Sequence, residues 1–242
     1  MLMTERLSRD TVEICSIPHI SAAIFDFNGT ITADDCLQYG VYAEIFADEA
    51  GIDLDREFFF TELSGRCDLD IITAVFARYG SGWPSSGVIE RIGTLRVLRY
   101  LDAIRSACPV RAKAAELIRE LHRIIPLAVV TGAPRGEVEP VLYSSGLLEL
   151  FNTVVACEDV TSGKPSPEGF LLALERMRVT QATLSAQDVV VFEDSPLGIL
   201  AAKRAGMRCV GVHLKSREEG RGADVIADEL DTSLLRTTAL RR

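Results

Sequence analysis

The sequence predicts an α/β protein built on a doubly wound parallel sheet, with an all-helical insertion. Three observations lead to this fold class. Short apolar runs are continuous rather than alternating, which is typical of strands buried on both faces of a parallel sheet. Helical patterns separate these runs. One long interval, residues 33–108, contains helical patterns only.

The predicted strands are six apolar runs in chain order. They are SAAIFDF from Ser21, PLAVVT from Pro126, FNTVVAC from Phe151, DVVVFED from Asp188, CVGVHL from Cys209 and ADVIAD from Ala223.

Two helices between these runs have clear signals. The stretch RAKAAELIRELHRII carries six apolar residues at helical spacing: Ala114, Leu117, Ile118, Leu121, Ile124 and Ile125. In SPLGILAAKRAGM, Ser195 is the predicted N-cap, Pro196 fits the first turn and Gly206 ends the helix.

The interval between the first and second strands is too long for a single crossover. Its helical patterns are CLQYGVYAEIFADEA, DREFFFTELS, DLDIITAVFARYG and SSGVIERIGTLRVLRYLDAIRSA. We therefore predict two units: residues 1–32 with 109–242 form the sheet domain, and residues 33–108 form a small helical domain.

Composition excludes several classes of function. Hydrophobic residues make up 48% of the 242 residues, which allows a sizeable core, and the formal net charge of -9 argues against a nucleic-acid surface. The arginines of the C-terminal LLRTTALRR are expected to be solvated. No apolar segment has membrane-spanning length, and the N-terminal segment lacks the apolar run of a signal peptide. We predict a soluble, cytoplasmic protein. The oligomeric state is not predicted.

The cysteines and histidines give no metal or disulfide pattern. The six cysteines are scattered without a CxxC pair, and the three histidines are equally dispersed. We expect reduced cysteines at Cys15, Cys36, Cys67, Cys108, Cys157 and Cys209.

Polar residues follow four of the predicted strands. Asp26 ends the first strand and Thr131 the second, Lys164 follows the third, and Glu193 with Asp194 ends the fourth. Ligands bind at the carboxyl ends of the strands in a doubly wound sheet. Each residue alone is typical of a cap or turn, whereas their ordered occurrence indicates a site.

Phosphoryl transfer through an aspartate uses all of these residue types. A carboxylate such as Asp26 can attack phosphorus and form an aspartyl phosphate. Mg²⁺ prefers hard oxygen ligands, which Asp26 and Asp194 supply, and Lys164 adds a fixed positive charge. Thr131 and the backbone N–H groups after it can bind phosphate oxygens, and Gly29 allows a close backbone approach.

At these residues the chain resembles the haloacid dehalogenase-like hydrolase superfamily. The resemblance is carried by DFNGT, VVT, GKP and VVFEDSPLG, and it covers the chain from Ser21 to about Leu214. The helical insertion resembles the cap of the branch that contains β-phosphoglucomutase and phosphoglycolate phosphatase. The resemblance implies a Rossmann-like core, a mobile cap, a Mg²⁺ site and an aspartyl-phosphate intermediate formed from a small phosphorylated metabolite.

The resemblance also implies roles for individual residues. Asp26 would be the nucleophile, and Thr131 with Lys164 would hold the phosphoryl group. The implied metal site consists of Asp26, Asn28 through its main-chain carbonyl, Glu193 directly or through water, and Asp194. The cap segment LSGRCD resembles a substrate-facing loop. The predicted substrate contacts are Gly29, Thr30, Gly65, Arg66, Gly132 and Ala133.

Asn28 departs from the family pattern, in which phosphatases usually carry a second acid at this position. That acid protonates the leaving oxygen and later activates water. An amide can orient either group but has no proton to exchange near pH 7. General acid-base catalysis is worth about 10²–10⁴-fold, or roughly 3–5 kcal/mol of barrier. Asn28 should therefore preserve binding and slow turnover.

Three interpretations of Asn28 are open. The chain is a phosphohydrolase for substrates whose leaving groups need little protonation, such as acyl phosphates or pyrophosphates. Alternatively, it is a weak or inactive member that binds a phosphorylated ligand in a regulatory role. In the third, Asn28 is an engineered change in a normal phosphatase.

Other family activities are disfavoured by missing residues. Dehalogenases lack the metal acids that FEDSPLG retains, and phosphonatases need a cap lysine, whereas residues 33–108 contain no lysine. The acid that often follows GTxx is replaced by Ala33, with Asp34 and Asp35 next. Mutase caps usually present a histidine nearby, but this one has Gln38. We therefore predict a Mg²⁺-dependent phosphatase of small metabolites, with hydrolysis favoured over mutase activity.

Overall fold

A computed structural model describes residues 12–14, 17–80, 82–106 and 108–236. Cys15 and residues 237–242 of the basic tail lie outside the described residues. Within these residues the strands are β1 (Val12–Ile14), β2 (Ile17–Ile20), β3 (Ala22–Phe25), β4 (Leu127–Val130), β5 (Thr153–Val155), β6 (Val189–Glu193), β7 (Arg208–Val212), β8 (Val225–Ala227) and β9 (Leu235–Arg236).

The six predicted strands form one parallel sheet in the order β5-β4-β3-β6-β7-β8, which confirms the predicted fold class. The sheet register aligns Phe25 with Val129 on one side and with Phe192 on the other. The carboxyl ends of β3, β4 and β6 therefore lie at the same edge, where the polar residues follow.

Helices cover both faces of this sheet. They are α5 (Ala112–His122) and α6 (Arg135–Ser144) on one face, and α7 (Glu168–Met177) and α8 (Pro196–Arg204) on the other. Alternate residues of the central strands pack into the two resulting apolar clusters, so Phe25 faces α5 and α6 while Ile24 faces α7 and α8. This two-sided burial explains why the strand sequences are continuously apolar.

The predicted helix signals agree with the structure, with one difference at an end. The Gly198 N–H donates to Ser195 Oγ at the N-cap of α8, and Gly206 follows that helix with a positive φ of 75°. Helix α5 ends at His122, so Ile124 and Ile125 lie beyond it. They still pack on the core, because the chain turns toward β4 while keeping its apolar residues inward.

The helical insertion consists of α1 (Asp35–Ala50), α2 (Arg56–Phe58) running into a wide turn over Phe59–Leu63, α3 (Asp68–Arg78) and α4 (Ser86–Ala103). These helices share an apolar cluster of their own. The chain segments that enter and leave the insertion run side by side. The Ala33 N–H donates to Pro109 O and the Arg111 N–H donates to Ile31 O, each at 2.9 Å. The division into two domains, and the mobility of the insertion, stay predictions.

A small antiparallel sheet, ordered β2-β1-β9, was not predicted. Its strands have two to four residues each, too few for a period to emerge. Five cysteines among the described residues are free thiols, as expected. Within the same residues, none of the helices combines the length and apolar character that a membrane crossing requires. The cytoplasmic location stays a prediction.

Candidate active site

Three acidic side chains converge at the carboxyl edge of the sheet. Asp26 directly follows β3, Glu193 is the last residue of β6, and Asp194 comes next. One carboxylate oxygen of each residue lies within 4.8 Å of those of the other two. The predicted acids are therefore brought together by the register of two neighbouring parallel strands.

The turn after β3 fits closely against Asp194. Gly29 has a φ of 80°, and a Cβ atom built there would lie 2.1 Å from Asp194 Oδ2. Both the left-handed backbone and the close approach require glycine. The Thr30 hydroxyl donates to Asp194 Oδ1 at 3.1 Å. Gly29 and Thr30, which we predicted to contact the substrate, therefore lie against the Asp194 carboxylate and orient it.

Lys164 is the buried cation of this cluster. Its ammonium donates to Asp26 Oδ1 and to Glu193 Oε1, and its side chain is 6% exposed. Burial alone would lower the pKa of Lys164, but the Asp26 and Glu193 carboxylates outweigh it and raise the pKa above its ordinary value. Lys164 is therefore a fixed positive charge beside the predicted nucleophile.

Glu193 has both carboxylate oxygens engaged by the protein. Oε1 accepts from Lys164, while Oε2 accepts from the backbone N–H groups of Asp194 and Ser195 at 3.1 Å and from the Ser195 hydroxyl at 2.9 Å. These contacts tie the end of β6 to the start of α8. The predicted role of Glu193, support of the metal directly or through water, stays a prediction.

Thr131 and the two residues after it form the opposite wall. The Ala133 N–H donates to Thr131 Oγ1 at 3.0 Å, so this N–H already has a protein acceptor. A Cβ atom at Gly132 would lie 3.2 Å from the Arg66 carbonyl carbon, and one at Gly65 would lie 3.1 Å from Ser195 Oγ. The loop of the insertion that carries Gly65 and Arg66 therefore contacts the sheet domain at two glycines.

A cavity lies between the sheet edge and the insertion. Its lining includes eight predicted site residues: Asp26, Asn28, Gly65, Arg66, Thr131, Gly132, Ala133 and Asp194. Four others are not in its lining: Gly29, Thr30, Lys164 and Glu193. The insertion adds side chains that were not predicted as site residues, notably Asp35, Tyr42, Asp68 and Arg96, and also Gln38.

The electrostatics of the acids fit a divalent cation. Burial raises the pKa of Asp26 to about 7, with Lys164 opposing the shift and Glu193 adding to it. Burial also raises the pKa of Asp194 well above its ordinary value, and the negative charges of Asp26 and Glu193 raise it further. Two buried carboxylates and the partly buried Asp194 thus lie together, and Lys164 pairs with Asp26 and Glu193. Since Mg²⁺ prefers hard oxygen donors, this set fits the predicted cation.

The Asn28 side chain faces two further carboxylates. Its amide nitrogen Nδ2 donates to Asp34 Oδ2 at 2.9 Å and to Glu137 Oε1 at 3.2 Å. Glu137 lies in the first turn of α6 and is fully buried. The sequence indicated no role for it, because an acid in the first turn of a helix is usually explained by the helix dipole.

Side chains of the insertion complete this second cluster. Arg96, 3% exposed, pairs with Glu137 and donates to Gln38 Oε1. The Tyr100 hydroxyl donates to Asp34 Oδ2 at 2.5 Å. No pattern in the sequence indicated these contacts, because the residues come from helices far apart along the chain.

Comparisons with known proteins agree with this geometry. A sequence profile described as haloacid dehalogenase-like hydrolase matches residues 20–206. Validoxylamine A 7'-phosphate phosphatase of Streptomyces hygroscopicus subsp. limoneus is 31% identical over 86% of this chain and 93% of its own.

Two solved structures have the same architecture. A crystal structure of β-phosphoglucomutase from Clostridium difficile superposes with a TM-score of 0.77 over 88% of this chain and 92% of its own; at 22% identity, this shows the fold alone. A mutant of CbbY from Rhodobacter sphaeroides, in complex with xylulose-(1,5)-bisphosphate, has 30% identity and a TM-score of 0.75 over 88% of this chain and 96% of its own. The profile match spans most of the sheet domain and the whole insertion, and the chain belongs to the haloacid dehalogenase-like hydrolases.

Proposed function

We propose that this chain is a Mg²⁺-dependent phosphatase of small phosphorylated metabolites that acts through an aspartyl phosphate on Asp26. The observation that carries the proposal is the position of Asp26. Its carboxylate follows a central strand, lines the cavity and accepts a hydrogen bond from Lys164, with Glu193 and Asp194 beside it. We further propose that the helical insertion is the cap and supplies Gly65 and Arg66 to the substrate.

In the first step an Asp26 oxygen attacks phosphorus and the bond to the leaving oxygen breaks. Lys164 and Thr131 hold the phosphoryl oxygens in this proposal, which spreads the developing charge over fixed donors. A bound Mg²⁺, held by Asp26, Asp194 and the main-chain carbonyl of Asn28, would supply further charge neutralisation. The leaving oxygen receives its proton from solvent, because the amide of Asn28 has none to give.

In the second step water attacks the phosphorus of the aspartyl phosphate. The bond to the Asp26 oxygen breaks, which releases inorganic phosphate and restores the carboxylate. The proton lost by the water must pass to solvent or to the phosphate, again because Asn28 is an amide. The first step is therefore slowed most for substrates with poor leaving groups, whereas the slowing of the second step is the same for every substrate, because the leaving group has already departed.

The relatives support sugar phosphates and other small phosphate esters as the first substrates to try. One relative is named for a validoxylamine phosphate and a second was solved with a ketose bisphosphate. We propose a test by phosphate release from a panel of sugar phosphates, acetyl phosphate and p-nitrophenyl phosphate, with Mg²⁺ or with EDTA. Phosphate release that persists undiminished in EDTA would remove the metal-assisted mechanism.

A second candidate function is a catalytically weak protein that binds a phosphorylated ligand. Asn28 is the observation that favours it, because its amide, held by two carboxylates, cannot exchange a proton with the leaving oxygen or with water. The same panel separates the two. Saturable binding of a sugar phosphate by calorimetry, with no turnover of any substrate including acetyl phosphate, would favour the binding protein.

A further inference from the structure

We propose that Glu137 is a positioning residue that acts through Asn28, and that an amide at one of these two positions is matched to a carboxylate at the other. This inference rests on the proposed phosphatase function where it concerns rates, and on the hydrogen bonds alone where it concerns the pairing. Asn28 lines the cavity, whereas Asp34 and Glu137 lie behind it. Glu137 therefore acts on the site through the cavity-lining side chains it contacts, which are Asn28, Gln38 and Arg96.

Arg96 determines which groups of this cluster donate hydrogen bonds and which accept them. A guanidinium can only donate, so Gln38 Oε1 must accept from Arg96, which also forms an ion pair with Glu137 Oε2. With its oxygen occupied, Gln38 can offer only its nitrogen, which donates to Glu137 Oε1 at 3.2 Å. An ionised carboxylate cannot donate in return. Glu137 Oε1 is therefore an acceptor for every neighbour, including Asn28.

The direction of these hydrogen bonds determines which end of the Asn28 amide faces the ligand. Nδ2 is held by Glu137 and Asp34 on the protein side. Within the described residues, Asn28 Oδ1 has no hydrogen-bond donor, so it is the free end of a side chain that lines the cavity. It presents an acceptor there. Such an acceptor can orient a donor, either the hydroxyl of a ligand or the attacking water, without taking its proton.

The matched pair also explains why an amide is accommodated here. An acid at position 28 would face the carboxylates of Asp34 and Glu137 at hydrogen-bond distance, and like charges at that distance oppose each other in a buried site. The amide converts two repulsive contacts into two hydrogen bonds. Exchanging the two groups, with the acid at position 28 and the amide at position 137, would keep one donor and one acceptor in contact.

The test is a double-mutant cycle with Asn28→Asp, Glu137→Gln and the exchanged double variant, followed by thermal unfolding without substrate. Each single change should lower Tm by roughly 2–10 °C, because it leaves buried polar groups facing the wrong partners. The double variant should recover part of that loss, because the contact between positions 28 and 137 is restored while the acid at position 28 still faces Asp34. Tm losses that simply add in the double variant would overturn the pairing.

Steady-state rates test the positioning role. Glu137→Gln should displace the Asn28 amide, because the introduced glutamine must still offer its oxygen to Arg96 and then turns its nitrogen toward Asn28 Nδ2, which Asp34 continues to hold. We expect kcat on p-nitrophenyl phosphate to fall about 10- to 100-fold, with KM nearly unchanged. A misplacement of a reacting group by about 1 Å causes a loss of rate of this size. An unchanged kcat would overturn the positioning role.

The matched control is Glu139→Gln, which makes the same substitution on the same helix. Glu139 pairs with Arg135 at 2.7 Å but is 40% exposed and remote from Asn28, so kcat and Tm should stay close to the parent. The thermal cycle does not depend on activity. Recovery of Tm in a protein without turnover would support the pair and overturn the proposed function. Turnover with additive Tm losses would overturn the pair and support the proposed function.

Discussion

The two sides of the candidate site neutralise buried carboxylates in different ways. On the strand side, Lys164 pairs with Asp26 and Glu193, and the Asp194 carboxylate lies beside them. On the helical side, two carboxylates are surrounded by two amides, two hydroxyls and a guanidinium. The first set retains unbalanced negative charge at the cavity, whereas the second is closed by protein donors.

This difference separates a site that needs a ligand from one that does not. The raised pKa of Asp26 and of Asp194 follows from burial without enough positive charge, so a divalent cation should relieve it. The helical cluster needs no ion, because its two carboxylates already accept hydrogen bonds from amides and hydroxyls and one of them pairs with Arg96. Chemistry is expected on the strand side and orientation on the helical side.

The largest expected effect is on the strand side. Asp26→Asn should reduce phosphate release by at least about 10⁴-fold, because an amide does not form the covalent intermediate. Circular dichroism should show that the fold is retained. Asp53→Asn, an exposed aspartate of the insertion, is the matched control and should retain full activity. Hydrolysis by Asp26→Asn at the parent rate would assign the chemistry to another residue.

The nucleophile can also be tested without turnover. Beryllofluoride mimics a phosphoryl group bound to a carboxylate, so an adduct should form on Asp26 in the parent protein and be absent in Asp26→Asn. Mass spectrometry or ¹⁹F NMR would detect it. An adduct that survives the substitution would locate the acceptor elsewhere.

The next effect concerns Asn28 and the leaving group. If Asn28 removes only proton transfer, p-nitrophenyl phosphate and acetyl phosphate should turn over far faster than sugar phosphates. Asn28→Asp should then raise hydrolysis of alkyl phosphates by about 10²-fold or more and change activated substrates much less. The aspartyl phosphate should accumulate in the parent and give a burst of product.

The helical cluster sharpens this expectation. The introduced aspartate faces Asp34 and Glu137, so the gain should be larger when Glu137→Gln is added to relieve the repulsion. Rates for the single and double variants on one alkyl phosphate would measure this coupling. An Asn28→Asp protein no better than its parent on any phosphomonoester, with or without Glu137→Gln, would show that the site is disabled elsewhere.

The strand side could be predicted from the sequence because its residues obey a local rule. Asp26, Thr131 and Glu193 each stand at the end of an apolar run, and parallel strands place such ends at one edge. Lys164 was predicted as a site residue because it follows the third predicted strand, in the same series of polar residues after strands. The structure brings Lys164 to Asp26 across 138 positions of chain without any further pattern being needed.

The helical side could not be predicted because no local rule connects its members. Asn28 and Glu137 are 109 positions apart, and Gln38 and Arg96 are 58 apart on different helices. Their meeting depends on how the insertion packs over α6. A buried arginine in α4 looks from its sequence like any solvated helix residue. The short strands β1 and β9 were missed for a related reason, since their pairing joins opposite ends of the chain.

A smaller effect should appear on adding Mg²⁺. Binding at Asp26 and Asp194 should raise Tm, with about 2.7 kcal/mol of stabilisation at a hundredfold excess over the dissociation constant. EDTA should reverse the shift. Asp194→Asn should weaken Mg²⁺ binding in calorimetry, whereas Asp53→Asn should not. A Tm that does not respond to Mg²⁺ in the parent would contradict a cation site among these carboxylates.

The smallest expected effect tests whether the strand side tolerates the loss of one hydrogen-bond donor better than the helical side does. Ser195→Ala removes the N-cap of α8, where Ser195 Oγ accepts from the Gly198 N–H at 3.1 Å. The loss of a cap costs about 1 kcal/mol, and 1 kcal/mol shifts Tm by roughly 2–4 °C in a chain of this size. Ser195 also donates to Glu193, but that carboxylate keeps two backbone donors and Lys164. We therefore expect kcat to stay within about twofold, since the strand side has donors to spare.

The control for this change is Ser85→Ala, because Ser85 caps α4 through the Val88 N–H and has no contact with Glu193. Both variants should lose a similar amount of stability, and neither should lose much activity. The helical side offers no such reserve, because Glu137 is the partner of Arg96, Gln38 and Asn28 at once. A large loss of kcat in Ser195→Ala but not in Ser85→Ala would mean that the Glu193 carboxylate depends on the hydroxyl, and that the strand side is as finely balanced as the helical side.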